Sequence, residues 1–240
     1  MKFSDYFERV YCINLESRPD RLERFNNRLK RATGETIDNK TIFRFEAVDG
    51  SKLTEFDMPL VMDGNTQHWG AGAEGCRRSH IGAITEARDL GLNNILILED
   101  DVIFRTHSRI REIVPHNGFV NLLSGFMDHV PENWDMIYLG GNHWRGTGHQ
   151  LSGMVHVINS LTTHAYAVRH TAYQLILTKS VQHNKPIDLI LAEEVQPHCN
   201  AYASLPRIVG QEEGVSDITN SHADSRGVCG VDGDEWDQEG

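Results

Sequence analysis

Apolar runs along this chain switch between two periods, and polar residues separate them. Val10-Tyr11-Cys12-Ile13-Asn14-Leu15 is short and apolar with polar flanks, the pattern of a buried strand. Ser17 and Pro19 then signal a helix start, and Leu22, Phe25, Leu29 and Ala32 follow at helical spacing. Ile42 to Val48 predicts a second strand stopped by Asp49-Gly50, and residues 51–70 predict a long loop. Cys76, His80, Ala83, Ile84 and Ala87 form an i, i+4, i+7, i+8, i+11 face, predicting a helix from Gly75 to near Gly91. Ile95-Leu96-Ile97-Leu98 is a continuous apolar run, as in a central strand covered on both faces, and it ends abruptly in Glu99-Asp100-Asp101. Phe119, Leu122, Leu123, Phe126 and Val130 predict another helix, and Met136 to Leu139 a strand closed by Gly140-Gly141. Thr163 to Val168 reads as a strand, with helices over Thr171 to Val181 and from Pro186 to about Val195. Alternation of this kind predicts an α/β protein with a mostly parallel central sheet and helices on both faces.

Composition narrows the function classes. The 240 residues carry 23 basic and 34 acidic side chains, a net charge of −11. No basic stripe is present, which argues against nucleic acid and against docking on anionic lipid. No apolar run approaches the roughly 18–20 residues of a membrane span. Met1 to Arg9 lacks the apolar segment of a signal peptide, so a cytoplasmic protein is expected. Cys12, Cys76, Cys199 and Cys229 are widely spaced with no CxxC pair, which excludes a zinc ribbon and leaves buried free thiols as the expectation. Residues 221–240 hold six acids, one base and four glycines. A single domain over 1–226 with a flexible acidic tail over 227–240 is therefore expected.

The chemistry should gather where strands end, because ligands of open α/β sheets bind at the carboxyl ends of their strands. Glu99-Asp100-Asp101 stands at such an end. Three adjacent carboxylates repel unless something positive lies among them, and a hard divalent cation with oxygen ligands is the simplest remedy. A helix-capping cluster or a solvated turn would use the same residues. Asn14, Arg18 and Arg21 lie just past the first strand at a helix start, where a helix N-terminus and guanidinium forks suit a phosphate or nucleotide. Surface pairing of Arg18 and Arg21 with Glu16, Asp20 and Glu23 is the plainer alternative. No GxGxxG follows the first strand and no GxxxxGK[ST] occurs, so neither a Rossmann dinucleotide site nor a P-loop is supported.

Taken in order, several blocks resemble glycosyltransferase family 25, which includes bacterial lipooligosaccharide galactosyltransferases and collagen hydroxylysine galactosyltransferases. They are Ile13-Asn14-Leu15 with Arg18 and Asp20-Arg21, Phe45 to Gly50, Gly75-Cys76 with Ser79-His80, and Ile97 to Val102. Trp134 to Gly140, Pro186-Ile187-Asp188 and Ser216-Asp217-Ile218 continue the series, so the resemblance runs from about residue 9 to 219. Residues 142–160 do not align, and they would face the acceptor.

The resemblance implies a GT-A-like fold and an inverting, metal-dependent transfer of a hexose, galactose first, from a UDP-sugar to a glycan or glycoconjugate hydroxyl. It implies Mn²⁺ held directly by Asp101, with Asp100 or Glu99 on the ribose or an outer-shell water. Ser79 and His80 would lie near the donor sugar. His222 would close the metal site by analogy at the level of the fold. Asp188 matches a Pro-x-Asp block and is the implied base, with Glu193 and Glu194 as rivals. A plain first-turn helix acid is the other reading of Asp188. A bacterial or viral surface-glycan role, such as lipopolysaccharide biosynthesis, fits a chain without a lumenal signal. The family also has members lacking activity, so the alternative is a non-catalytic nucleotide-sugar or glycan-binding module; the intact acidic triplet counts against it.

Overall fold

The structure, a computed structural model, describes residues 2–54, 70–104, 118–143, 153–205 and 207–212, and the backbone of 214–215 and 222–223. Its strands are β1 (Arg9–Asn14), β2 (Ile42–Glu46), β3 (Asn94–Glu99), β4 (Val102–Phe104), β5 (Met136–Tyr138), β6 (Asn142–His143) and β7 (Met154–His156). They continue with β8 (Ser160–Leu161), β9 (Ala165–Arg169), β10 (Ala201–Ser204), β11 (Val209–Gln211), β12 (Gly214–Val215) and β13 (His222–Ala223). The helices are α1 (Pro19–Thr33), α2 (Ala71–Asp89), α3 (Phe119–Met127), α4 (His170–Gln182) and α5 (Ile187–Ile190), the last running on as a π-helical turn over Leu191–Val195.

Seven strands form the main sheet in the order β2-β1-β3-β9-β5-β10-β7. β1 pairs in parallel with β2 and β3, and β5 pairs in parallel with β10. β9 runs antiparallel between β3 and β5, and β7 is antiparallel to β10 at the edge. Five of the seven strands therefore point one way. The α/β class with a mostly parallel central sheet expected from the sequence is the class observed, with reversed β9 and β7 making the sheet mixed.

β3 shows why both faces are covered. Leu96 and Leu98 join the core built with Phe25 and Leu29 of α1 and Phe119 and Leu123 of α3. Ile95 and Ile97 join the opposite core with Ala83 and Ile84 of α2, Ile176 of α4 and Ile190 of α5. All four strand residues are completely buried, each contributing about 1.5–3 kcal/mol relative to exposure.

Local chemistry fixes the element ends. Pro19 takes the first helical position of α1, and Gly34 closes that helix at φ 75°. α2 begins at Ala71, a turn before the expected start at Gly75. Gly75 is not a start signal but a contact: a Cβ there would sit 2.6 Å from Val48 O and 2.8 Å from Gly50 N. At Gly50 a Cβ would fall 2.1 Å from Ala71 O, so glycines at both positions let α2 lie directly on the Asp49-Gly50 turn.

Of the expected loop over 51–70, residues 50–52 form a 3₁₀ turn, and 55–69 lie outside the described residues. The tail over 227–240 also lies outside them. Cys12, Cys76 and Cys199 are free thiols. Among the described residues no helix is long and apolar enough to cross a membrane.

Candidate active site

The parallel pairing of β1 with β3 brings Asn14 and the acidic triplet to one edge of the sheet. Asn14 is 1% exposed, and its amide donates to Asp100 Oδ2 at 2.7 Å and to Arg18 O at 3.0 Å. Its Oδ1 accepts from Arg44 Nε at 3.1 Å. Arg21, one turn into α1, reaches Asp100 Oδ1 at 3.3 Å. Burial raises the Asp100 carboxyl, and these hydrogen bonds and the guanidinium work against the rise.

Glu99 accepts from Thr163 Oγ1 at 2.9 Å and lies 3.4 Å from His80 Nε2. Burial would raise its carboxyl, but the His80 imidazole and Thr163 outweigh it and hold the group below its ordinary value. Asp101 has a different environment. Gln211 Nε2 of β11 donates to its carboxylate at 3.2 Å, a neutral partner. Burial first, and then repulsion from Glu99 and Asp100, push Asp101 up to about 8. Negative charge is thus compensated at Glu99 and in part at Asp100, whereas Asp101 holds its proton up to about pH 8.

The backbone around Asp101 is tied from the other side. Glu212 N–H donates to Asp101 O at 2.7 Å, and the Glu212 carboxylate meets Arg28 of α1 at 2.7 Å. Arg28 is 1% exposed and also donates to Val102 O.

Two cavities open at this edge. The larger, about 550 Å³, is bordered by Arg18, Arg21, Ser79, His80, Asp100 and Asp101 among others. The Ser79 hydroxyl is already engaged, accepting from Val48 N at 2.8 Å and donating to Gly75 O at 2.7 Å, so it fixes the wall between α2 and the Asp49-Gly50 turn. Arg18 holds Asp20 through two hydrogen bonds of 3.0 Å at the rim. The second cavity, about 440 Å³, is bordered by Asp188, Thr162, Thr163, Pro186 and Leu189. Cys76, Glu99 and Gln211 border both.

Asp188 is half-buried at the start of α5. Burial raises its carboxyl, the Leu189 and Thr162 backbone groups lower it, and the charge on Glu99 raises it, for a net rise. Thr162 has φ 66°, a conformation a β-branched residue holds only at a cost of about 1–3 kcal/mol. Glu193 and Glu194 stand elsewhere: Glu193 pairs with Lys185 at 2.8 Å, and Glu194 with Lys185 at 3.3 Å and His183 at 3.3 Å. Neither borders either cavity. His222 lies on β13, paired through its backbone with Val215, and its side chain is outside the described residues.

The structure therefore gathers Arg18, Arg21, Ser79, His80, Glu99, Asp100 and Asp101 around one cavity, with Asn14 buried behind Asp100, and Asp188 around its neighbour. Sequence reasoning missed Thr163, Gln211, Glu212 and Arg28. Gln211 sits on a three-residue strand with no periodicity to reveal it, and Arg28 reads as one of several arginines on an amphipathic helix.

A family model described as glycosyltransferase family 25 (LPS biosynthesis protein) matches residues 7–144. The chain is 29% identical over 210 residues to human inactive glycosyltransferase 25 family member 3, covering 81% of this chain and 33% of that protein. It is 27% identical over 146 residues to human procollagen galactosyltransferase 2, covering 56% of this chain and 21% of that protein. The chain thus spans a third or less of the length of these relatives. Among solved structures it is similar, with TM-score 0.45 and 11% identity, to a glycosyltransferase involved in the glycosylation of the major capsid of PBCV-1, covering 88% of this chain and 96% of that one.

Proposed function

From the premise that this chain belongs to glycosyltransferase family 25, we propose that it moves a hexose, galactose first, from a UDP-sugar to a hydroxyl of a glycan or glycoconjugate, with a divalent cation and with inversion. The observation that carries this reading is the pair of adjoining cavities, with Asp101 in one, Asp188 in the other, and Glu99, Cys76 and Gln211 at their junction. Inversion needs a base on the face of the sugar opposite the departing nucleotide, and this arrangement supplies two carboxylates in two adjoining compartments. The proposed transferase unit is residues 1–226.

The nucleotide occupies the larger cavity. The N-terminus of the 15-residue α1 and the guanidiniums of Arg18 and Arg21 face a diphosphate there. Asp101 fits a hard cation such as Mn²⁺, because its carboxylate is an oxygen donor raised by burial and then by the charges on Glu99 and Asp100, both of which a cation would offset. When bound, such an ion neutralises charge on the departing diphosphate. Asp100, fixed by Asn14 and Arg21, keeps the acidic turn in register. The sugar lies at the junction, against Glu99. In the second cavity the acceptor hydroxyl gives its proton to Asp188 as its oxygen bonds the anomeric carbon and the bond to UDP breaks. A carboxyl raised by burial is a better base near neutral pH than an ordinary one.

A non-catalytic nucleotide-sugar-binding module is the second reading, favoured by the relative named as inactive. One experiment separates them. The chain is incubated with UDP-Gal, UDP-Glc, UDP-GlcNAc or GDP-sugars and Mn²⁺ or chelator, and melting temperature and UDP release are read together. Mn²⁺-dependent release supports the transferase. Stabilisation by a UDP-sugar without release in the presence of acceptor glycans supports the module. Neither response to any donor refutes both.

A further inference from the structure

Cys76 and His80 stand one turn apart on α2 and project from the same face, which meets the exit of β3 at Glu99. The Cys76 Sγ, one His80 ring nitrogen and one Glu99 oxygen all lie within 4.8 Å of one another. His80 Nε2 and Glu99 Oε1 are 3.4 Å apart. Two ligands each about 2.0–2.1 Å from a tetrahedral ion are separated by about 3.3–3.4 Å, so this pair already stands at ligand spacing. The thiol completes the set by closing about an ångström, a rotamer-scale movement.

The imidazole supplies an independent observation. His80 is fully buried, and its Nε2 has no hydrogen-bond partner. Its Nδ1 lies 3.0 Å from Tyr166 OH. With Nδ1 turned to that hydroxyl, Nε2 points at a Glu99 oxygen 3.4 Å away without closing a hydrogen bond to it, a gap that a bound cation would bridge. Metal-bound histidines are oriented in this way, by a partner on the second nitrogen. The Thr163 hydroxyl fixes the carboxylate in the same manner.

We propose that Cys76, His80 and Glu99 form a binding site for a Zn²⁺-class cation, separate from the hard-cation site at Asp101, with its fourth position open to the junction of the two cavities. A sulfur, nitrogen and oxygen donor set selects Zn²⁺ or Co²⁺ over Mn²⁺ and Mg²⁺. On binding, the metal–thiolate bond forms, the thiol proton leaves to solvent, and water takes the open position. Occupancy would obstruct the sugar position and make transfer zinc-sensitive; that consequence rests on the transferase reading, whereas the binding does not.

Co²⁺ titration of the full chain tests the site. Wild type should show a near-ultraviolet thiolate-to-cobalt charge-transfer band together with intense visible bands of four-coordinate cobalt. Cys76→Ser should lose the charge-transfer band, and His80→Gln should weaken binding about tenfold or more. Asp101→Asn should keep both signals. Absence of the thiolate band in wild type, or its survival in Cys76→Ser, overturns the proposal. Should Cys76→Ser fail to fold, zinc-edge X-ray absorption of wild type decides: one sulfur among nitrogen and oxygen ligands is expected, and a sulfur-free shell refutes the site. Loss of UDP release with an intact cobalt signature would remove the transferase reading alone.

Discussion

Replacing Asp101 by Asn should stabilise the metal-free protein, and by an amount that depends on pH. Asp101 is raised from an ordinary value near 3.8 up to about 8. Below pH 4 the carboxyl is protonated in both folded and unfolded chains, so it contributes no pH dependence there. As pH rises, the unfolded chain ionises first while the folded chain keeps its proton, so the wild type loses stability until pH passes about 8. At 1.36 kcal/mol per unit, the ceiling on that loss is about 5–6 kcal/mol. The triplet shares its repulsion among three groups and a buried amide must also be desolvated, so roughly half, about 2–3 kcal/mol, is the working figure. For a chain of this length that is about 5–10 °C in Tm. The amide oxygen still accepts from Gln211, so packing changes little. Melting curves of both proteins with EDTA, from pH 4 to 9, should diverge with pH, Asn being the more stable. Added Mn²⁺ should raise the wild type alone, by about 2.7 kcal/mol at a hundredfold excess over Kd. An Asn variant no more stable than wild type at pH 9 in EDTA, or a difference independent of pH, would refute the reasoning.

Asp188→Asn should lower kcat by about 10²–10⁴ with donor Kd unchanged, whereas Glu193→Gln and Glu194→Gln should leave kcat near wild type; full-speed Asp188→Asn, measured by UDP release, would make it a helix acid only. Gly75→Ala places a Cβ 2.6 Å from Val48 O and should cost about 1–3 kcal/mol in urea unfolding, with weaker donor binding as the Asp49-Gly50 turn shifts. Arg28→Met leaves Glu212, beside Asp101, with only its longer 3.8 Å contact to Arg24; since Glu212 is partly exposed, the loss should be about 1–3 kcal/mol, below the full buried-pair range, and Glu212→Gln on the same background should recover part of it.

The long elements were legible because their burial imposes a period. Leu96 and Leu98 face one core and Ile95 and Ile97 the other, a pattern that left a continuous apolar run in the chain. Short strands such as β4 and β11 carry too few positions to show a period, and their pairing is decided by long-range contact. The start of α2 was misplaced because Gly75 reads locally as a break, whereas its purpose is backbone contact with the Asp49-Gly50 turn. The acidic triplet stood out through like charge crowded after apolar residues. How each acid is held was not visible, because Glu99, Asp100 and Asp101 differ only in partners that come from Thr163, Asn14 and Gln211. Asp188 was separated from Glu193 and Glu194 by the pairing of both rivals with Lys185, which spacing along a helix does not reveal.

The reversed strand β9 also governs the order in which the chain is able to assemble. A growing polypeptide that has reached residue 143 already contains β1, β2, β3 and β5, yet β3 and β5 do not touch; Ala165–Arg169 is the strand that joins them. Until it emerges, β3 presents a bare hydrogen-bonding edge with apolar side chains on both faces, the kind of surface that recruits other chains. Closure waits on contacts remote in sequence, which slows folding. The segment over 7–144 that carries the family's signature is therefore not a unit that can be excised. Expressed alone it should collect in aggregates, and during synthesis it is the stretch that most needs a chaperone until the ribosome has delivered β9.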